Sequence, residues 1–207
     1  VRLWAIVPVK PFSQSKSRLS TCLSAEERAA LSERMLIHTL QVLSHVPELE
    51  GIVVVSRDKR AQALAARYGA HMLMERGGAG LNPALKYATR IVAAYRASAV
   101  LVLPADLPLL TRQAVEALIA PADPPPVVVL APDQRGSGTN ALLMAPPEIM
   151  DYAFGPNSLS RHKARARKSG ARLEVIHLRT LALDIDLPED LETLDGHGFP
   201  VTKDAKG

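Results

Sequence analysis

The chain has 207 residues, 47% of them hydrophobic and 22% charged, with a single cysteine. That is enough chain for one globular domain, and it excludes a disulfide framework or a zinc site built on several thiolates. A net charge of +4 beside only 4% aromatic residues suits a phosphate-rich ligand and offers little for stacking on nucleic-acid bases.

Leu3–Val9 is a short apolar run and predicts a buried strand. Lys10–Leu23 has no periodicity and predicts a loop. Ser24, with Glu27 three residues on, forms a capping box that opens a helix striped by Leu31, Met35, Ile37, Leu40 and Leu43. Ile52–Val55 is β-branched and predicts a second strand, Asp58 caps a helix to about Tyr68, and Gly69 ends it. Ala70–Met74 is a third strand, Glu75–Leu81 a glycine-bearing loop, and Asn82 to about Arg96 a helix. Ala99–Leu103 is a fourth strand that runs into Pro104-Ala105-Asp106-Leu107-Pro108, and Thr111 starts the next helix.

Val127–Ala131 and Thr139–Met144 are strands too close together for a crossover helix, so this part is expected to be antiparallel or irregular. A helix over about Ser158–Ser169 follows, then strands at Leu173–Leu178 and Leu181–Asp186, then a helix from Pro188 to about Leu194. Residues 196–207 are polar and patternless and are expected to form a loose tail. Strand–helix alternation over 1–195 predicts an α/β domain with a mixed, mostly parallel sheet covered on both faces. No apolar stretch approaches the ~20 residues of a membrane span, and the apolar segment at the start is too short for a signal peptide. A cytoplasmic protein with no membrane partner is expected.

Ligands of open α/β sheets collect at the carboxyl ends of the strands. The first strand runs into Lys10, Lys16 and Arg18 among several serines. This is either a triphosphate cradle or a solvated polar loop, and it lacks the Walker A pattern. The fourth strand runs into Asp106, which suits a divalent cation or a turn cap. Asp184 and Asp186 lie on one face of an extended segment and repel unless a cation or base sits between them, although Asp186 also suits a cap for the helix at Pro188. The turn Asp133–Asn140 carries Gly136, Gly138 and Thr139, and Phe154–Ser158 leads into a helix bearing Arg161, His162, Lys163, Arg165, Arg167 and Lys168. A small phosphorylated substrate fits between Thr139 and Ser158, at the helix N-terminus. The basic helix reads equally as a solvated face, and more remotely as a nucleic-acid stripe. No nucleophile elbow occurs and the remaining histidines lack metal-ligand spacing, so metal-assisted phosphoryl chemistry is favoured over a nucleophilic hydrolase.

The strings VPVKPFSQSKSRLS, GLNPAL, LVLPADLPLL, APDQRGSGTNALL, FGPNSLSRH and LALDIDLPEDL resemble, in this order, the 2-phospho-L-lactate or phosphoenolpyruvate guanylyltransferases of deazaflavin coenzyme F420 biosynthesis. Lys10-Pro11-Phe12 departs from the glycine-rich first loop of molybdenum-cofactor guanylyltransferases, the alternative reading along with a non-catalytic nucleic-acid-binding module. The resemblance implies a Rossmann-like nucleotidyltransferase fold, similar to the GT-A core. It implies transfer of GMP from GTP to the phosphate of phosphoenolpyruvate, 2-phospho-L-lactate or 3-phosphoglycerate, with release of pyrophosphate. The acceptor would be held at Thr139, Gly155 and Ser158, and two Mg2+ ions, bound with GTP, at Asp106, Asp184 and Asp186. Lys10 would lie near the α-phosphate, Lys16 and Arg18 would take up charge on the leaving pyrophosphate, and Gly80, Leu81 and Asn82 would form part of the nucleotide pocket. The partners implied are small molecules only, with the chain a monomer or homodimer.

Overall fold

In the computed structural model, residues 1–74 and 80–195 are described. Seven strands form one sheet: β1 (Leu3–Pro8), β2 (Leu49–Val55), β3 (His71–Leu73), β4 (Ala99–Val102), β5 (Val127–Pro132), β6 (Thr139–Ala145) and β7 (Arg172–Val175). Their order is β3-β2-β1-β4-β6-β5-β7. β1 pairs in parallel with β2 and β4, β2 with β3, and β5 with β7, while β6 runs antiparallel between β4 and β5. The expected antiparallel break therefore falls at β6, reached through the short turn that follows β5.

Alternation along the strands divides the core. Leu3, Ala5 and Val7 face helices α1 (Ala25–Ser44), α2 (Lys59–Arg67) and α4 (Arg112–Ile119). Trp4, Ile6, Val53 and Val55 face α3 (Leu81–Ala94) and α5 (Ser158–Lys168). Both faces are covered, which is why the strands are apolar throughout rather than alternating with polar residues. The capping box at Ser24 and Glu27 forms as the sequence predicts, as do the caps at Asp58 and Thr111. Among the described residues no helix is long and apolar enough to cross a membrane.

Two expectations need correction. The loop Lys10–Leu23 contains two 3-10 turns, Phe12–Gln14 and Ser17–Leu19, whose Phe12 and Leu19 are buried. The segment Leu181–Asp186 is not a strand. A single turn, α6 (Arg179–Ala182), is followed by extended chain that crosses the end of the sheet, touching it through Ile185 N–H to the Asp106 carbonyl at 3.3 Å. The alternation that suggested a strand is real, but it serves a satellite core. Leu183 and Ile185 pack with Leu19, Leu23, Leu31 and Met35, and with Leu191 and Leu194 of α7 (Pro188–Asp195). The predicted tail, 196–207, and most of the predicted loop, 75–79, lie outside the described residues.

Candidate active site

The order of the strands reverses between β1 and β4, and there the charged residues gather. Asp106 follows β4, and the crossing segment brings Asp184 and Asp186 over the same corner. Asn140 on β6 holds that segment: its amide donates to the carbonyls of Leu181 at 2.9 Å and Ala182 at 3.1 Å, and to Asp184 Oδ1 at 3.3 Å. Burial, and then the neighbouring charges of Asp106 and Asp186, push the Asp184 carboxyl up to about 6 against the pull of Asn140. Asp190, in the first turn of α7, accepts from the N–H groups of Asp186 at 2.9 Å and Leu187 at 2.7 Å. The Asp186 carboxylate faces Lys16 and Arg18.

The cationic loop folds onto these acids. Lys16 Nζ lies 2.8 Å from Asp106 Oδ2 and 3.4 Å from Asp186 Oδ1, and its side chain is only 6% exposed. Burial opposes its charge, but Asp106 and Asp186 together hold the ammonium above the ordinary lysine range. Arg18 approaches Asp186 Oδ2 at 3.7 Å from the solvent side. The loop is pinned from two directions. Asp58 accepts from Phe12 N–H at 2.7 Å while also capping α2, and the Ser15 and Ser32 hydroxyls meet at 2.6 Å.

Among the described residues no group of three or more His, Cys, Asp or Glu is placed to hold an ion unaided. The corner nevertheless fits a hard cation. Its donors are carboxylates, their charges converge closely enough to raise Asp184, and a cation, the Lys16 ammonium, already bridges two of them. One or two carboxylates completed by phosphate oxygens is the pattern Mg2+ accepts.

Beside this corner a cavity of about 300 Å³ opens at the ends of β1 and β2, lined by residues that include Lys10, Gln14, Arg57, Gly80 and Leu81. Lys10 also lines a smaller cleft of about 70 Å³ shared with Lys16 and Asp106, so the two spaces adjoin. Of the residues predicted for the nucleotide, Lys10, Gly80 and Leu81 face this cavity. Asn82 does not. Its amide is taken up by the Phe154 backbone, accepting from N–H at 2.8 Å and donating to C=O at 3.0 Å.

The residues predicted for the acceptor gather where β6 begins and α5 starts. Ser158 N–H donates to the Gly155 carbonyl at 3.1 Å, and Leu159 N–H to that of Ser137 at 3.1 Å. Gly155 has φ +121°, a conformation that side-chain-bearing residues rarely adopt, and a Cβ there would lie 3.3 Å from the Arg161 guanidinium. Thr139 and Ser158 are buried. Thr139 Oγ1 meets His162 Nδ1 at 2.9 Å, and His162 Nε2 accepts from Ala153 N–H at 2.9 Å. Burial, and then Arg165 and Arg161, push the His162 imidazole down to about 4. A cavity of about 250 Å³ lies nearby, lined by Gly136, Ser137, Asn157, Leu159, Ser160 and Lys163. Sequence reasoning missed the roles of Asn140, His162 and Asp190, the Phe12 contact that Asp58 makes besides its predicted cap, and the Phe154 backbone partner of Asn82. The signals were present only as polar residues beside glycines or strand ends.

The description "Guanylyl transferase CofC like" belongs to the family model that matches residues 3–204. The chain is 39% identical over 193 residues, 93% of its length and 92% of the relative's, to a phosphoenolpyruvate guanylyltransferase of Sphaerobacter thermophilus. It is 34% identical over 194 residues, 94% of its length and 84% of the relative's, to a 2-phospho-L-lactate guanylyltransferase of Methanothermobacter thermautotrophicus. A solved nucleotidyl transferase from the latter organism superposes with a TM-score of 0.68 at 15% identity, covering 95% of this chain and 97% of that one. At that identity the likeness concerns the fold.

Proposed function

Because the chain belongs to the CofC-like guanylyl transferases, we propose that it joins GMP from GTP to the phosphate of phosphoenolpyruvate, or of 2-phospho-L-lactate, as a step in making coenzyme F420. The observation that carries this reading is the acidic corner of Asp106, Asp184 and Asp186. It adjoins a cavity suited to a nucleotide through the cleft shared by Lys10, Lys16 and Asp106, and Asn140, which holds the Asp184 segment, directly follows Thr139 on β6. A phosphate oxygen of the acceptor attacks the α-phosphorus of GTP. The bond from that phosphorus to the bridging oxygen breaks, and pyrophosphate carries away the electron pair. No general base is required, since the nucleophile is already an anion.

The barrier is the mutual repulsion of two phosphates, and preorganised charge is the remedy. Asp106, Asp184 and Asp186 would hold Mg2+, which when bound with GTP neutralises phosphate charge and favours departure of pyrophosphate. Lys10, facing both spaces, is placed for the α-phosphate. Lys16 and Arg18 take up charge on the leaving group, which requires Lys16 to release Asp106 and Asp186. Gly80 and Leu81 shape the nucleotide cavity, while Thr139, Gly155 and Ser158 receive the acceptor. A cytoplasmic setting belongs to this reading, and the exposed Cys22 thiol suits a reducing compartment.

The test is purified protein with Mg2+, each of the common nucleoside triphosphates, and phosphoenolpyruvate, 2-phospho-L-lactate or 3-phosphoglycerate. Pyrophosphate release and product mass are read together. A guanosine diphosphate adduct of one of the first two acids is expected. Release with another nucleotide, or with 3-phosphoglycerate alone, would replace the substrate assignment.

A further inference from the structure

His162 is held at both ring nitrogens by groups outside its own helix, and those two contacts fix its tautomer. A backbone N–H can only donate. The Ala153 N–H at 2.9 Å from Nε2 therefore requires that Nε2 carry a lone pair. The neutral ring then bears its proton on Nδ1, and that proton points at Thr139 Oγ1, 2.9 Å away. Thr139 must accept this bond. A hydroxyl has one proton, so the proton of Thr139 is left for a different acceptor, and no other partner for it is present among the described residues.

From this geometry we infer that His162 is a positioning residue that turns the Thr139 hydroxyl into an obligate donor toward the acceptor's phosphate. The inference rests on the assignment of Thr139 to the acceptor site. The surroundings keep the ring neutral. The ring is fully buried, Arg161 and Arg165 on its own helix oppose a further positive charge, and the Phe154 ring sits edge-on to it at 4.9 Å. A protonated ring would present two donors and lose the Ala153 bond. The same imidazole orders the other wall of the pocket. Ala153 is held by His162 and Phe154 by Asn82, so the chain enters Gly155 with its preceding backbone already fixed.

Two measurements on the full chain test this. Long-range proton–nitrogen NMR of 15N-labelled protein reads the tautomer directly, with His162 identified through backbone assignments. An Nδ1–H ring is expected, and an Nε2–H ring overturns the inference. Kinetics then compare Thr139→Val, Thr139→Ser, His162→Phe and the double variant Thr139→Val/His162→Phe. Loss of one charge-assisted hydrogen bond predicts that Thr139→Val and His162→Phe each raise the KM for the acceptor about 10- to 100-fold, with the KM for GTP within about twofold. Thr139→Ser keeps the hydroxyl and should recover most of the acceptor affinity that Thr139→Val loses. If His162 acts through Thr139, the double variant loses less than the product of the two single effects; fully multiplied effects overturn the inference. Should His162→Phe fail to fold, the tautomer still decides. An Nε2–H ring with a raised KM in Thr139→Val sinks the role of His162 and leaves the acceptor site standing. An Nδ1–H ring with an unchanged KM in Thr139→Val overturns the acceptor site, and the inference with it.

Discussion

The two halves of the site are built from different materials. The corner of Lys16, Arg18, Asp106, Asp184 and Asp186 is charged and is carried on a satellite core outside the sheet. Long side chains reach across it and neutralise one another. The corner of Thr139, His162, Ala153, Phe154 and Asn82 is largely neutral, buried and hydrogen-bonded in fixed directions to backbone. Lys16 has two carboxylates in reach, so it can exchange partners when a charged substrate arrives. A buried neutral network cannot rearrange without leaving a polar group unpaired. The charged half is thus suited to a triphosphate that enters charged and leaves in pieces. The neutral half is suited to recognising a small, rigid acid by shape.

The largest effect should come from removing charge from the first half. Asp106→Asn should lower turnover by about a thousandfold, the scale of a lost electrostatic contact to the reacting phosphates. A loss of less than about tenfold, read as pyrophosphate release, would remove Asp106 from the reaction.

The second effect belongs to the neutral half. The folded-state pKa of His162 lies at about 4, below the ordinary value of 6.5. The unfolded chain therefore takes up the proton first, so the stabilisation is complete above about pH 6.5 and is lost as pH falls toward 4. At one pKa unit per 1.36 kcal/mol this approaches about 3 kcal/mol. Denaturant unfolding of wild type and His162→Gln at pH 7 and pH 4.5 checks it. The gap between the two proteins should narrow at the lower pH, and parallel losses would show that the ring is not held neutral.

Next comes Gly155. Forcing a side chain into its positive-φ conformation costs of order 1–3 kcal/mol, so Gly155→Val should raise the KM for the acceptor about 10- to 100-fold and leave GTP nearly untouched. An equal rise for both substrates would erase the division between halves. The smallest effect is Lys16→Ala, with a rise of about tenfold in the KM for GTP and less in that for the acceptor. If the acceptor suffers more, the two halves have been assigned the wrong way round.

The scaffold was readable from sequence where one element decides its own structure. The apolar runs of β1, β4 and β6, the capping box at Ser24, and the cap at Asp58 need no distant partner. Asp106 was legible as a strand-end acid, because the position of a ligand site in an open α/β sheet is set by topology, and Asp184 and Asp186 as two acids on one face of an extended segment. Contacts across the fold were not legible. Nothing near Asn82 reveals that it pairs with a backbone 72 residues away, and His162 reads as one polar residue on a basic helix until the Ala153 N–H is placed against it. The segment Leu181–Asp186 misled for a related reason. Alternation reports which side chains are buried, not whether a neighbouring strand is available to bond the backbone.

The bridge from Lys16 to Asp186 spans 170 residues, nearly the whole described chain, and this has a consequence for how the protein comes into being. During synthesis the first loop emerges 170 residues ahead of its acidic counterpart. Contacts so distant in sequence slow folding, because a long loop must close before they form. A nascent chain can assemble β1 to β4 and their helices while its reactive corner still lacks Asp184 and Asp186. Competence to transfer a nucleotide is therefore gained only once the crossing segment has docked.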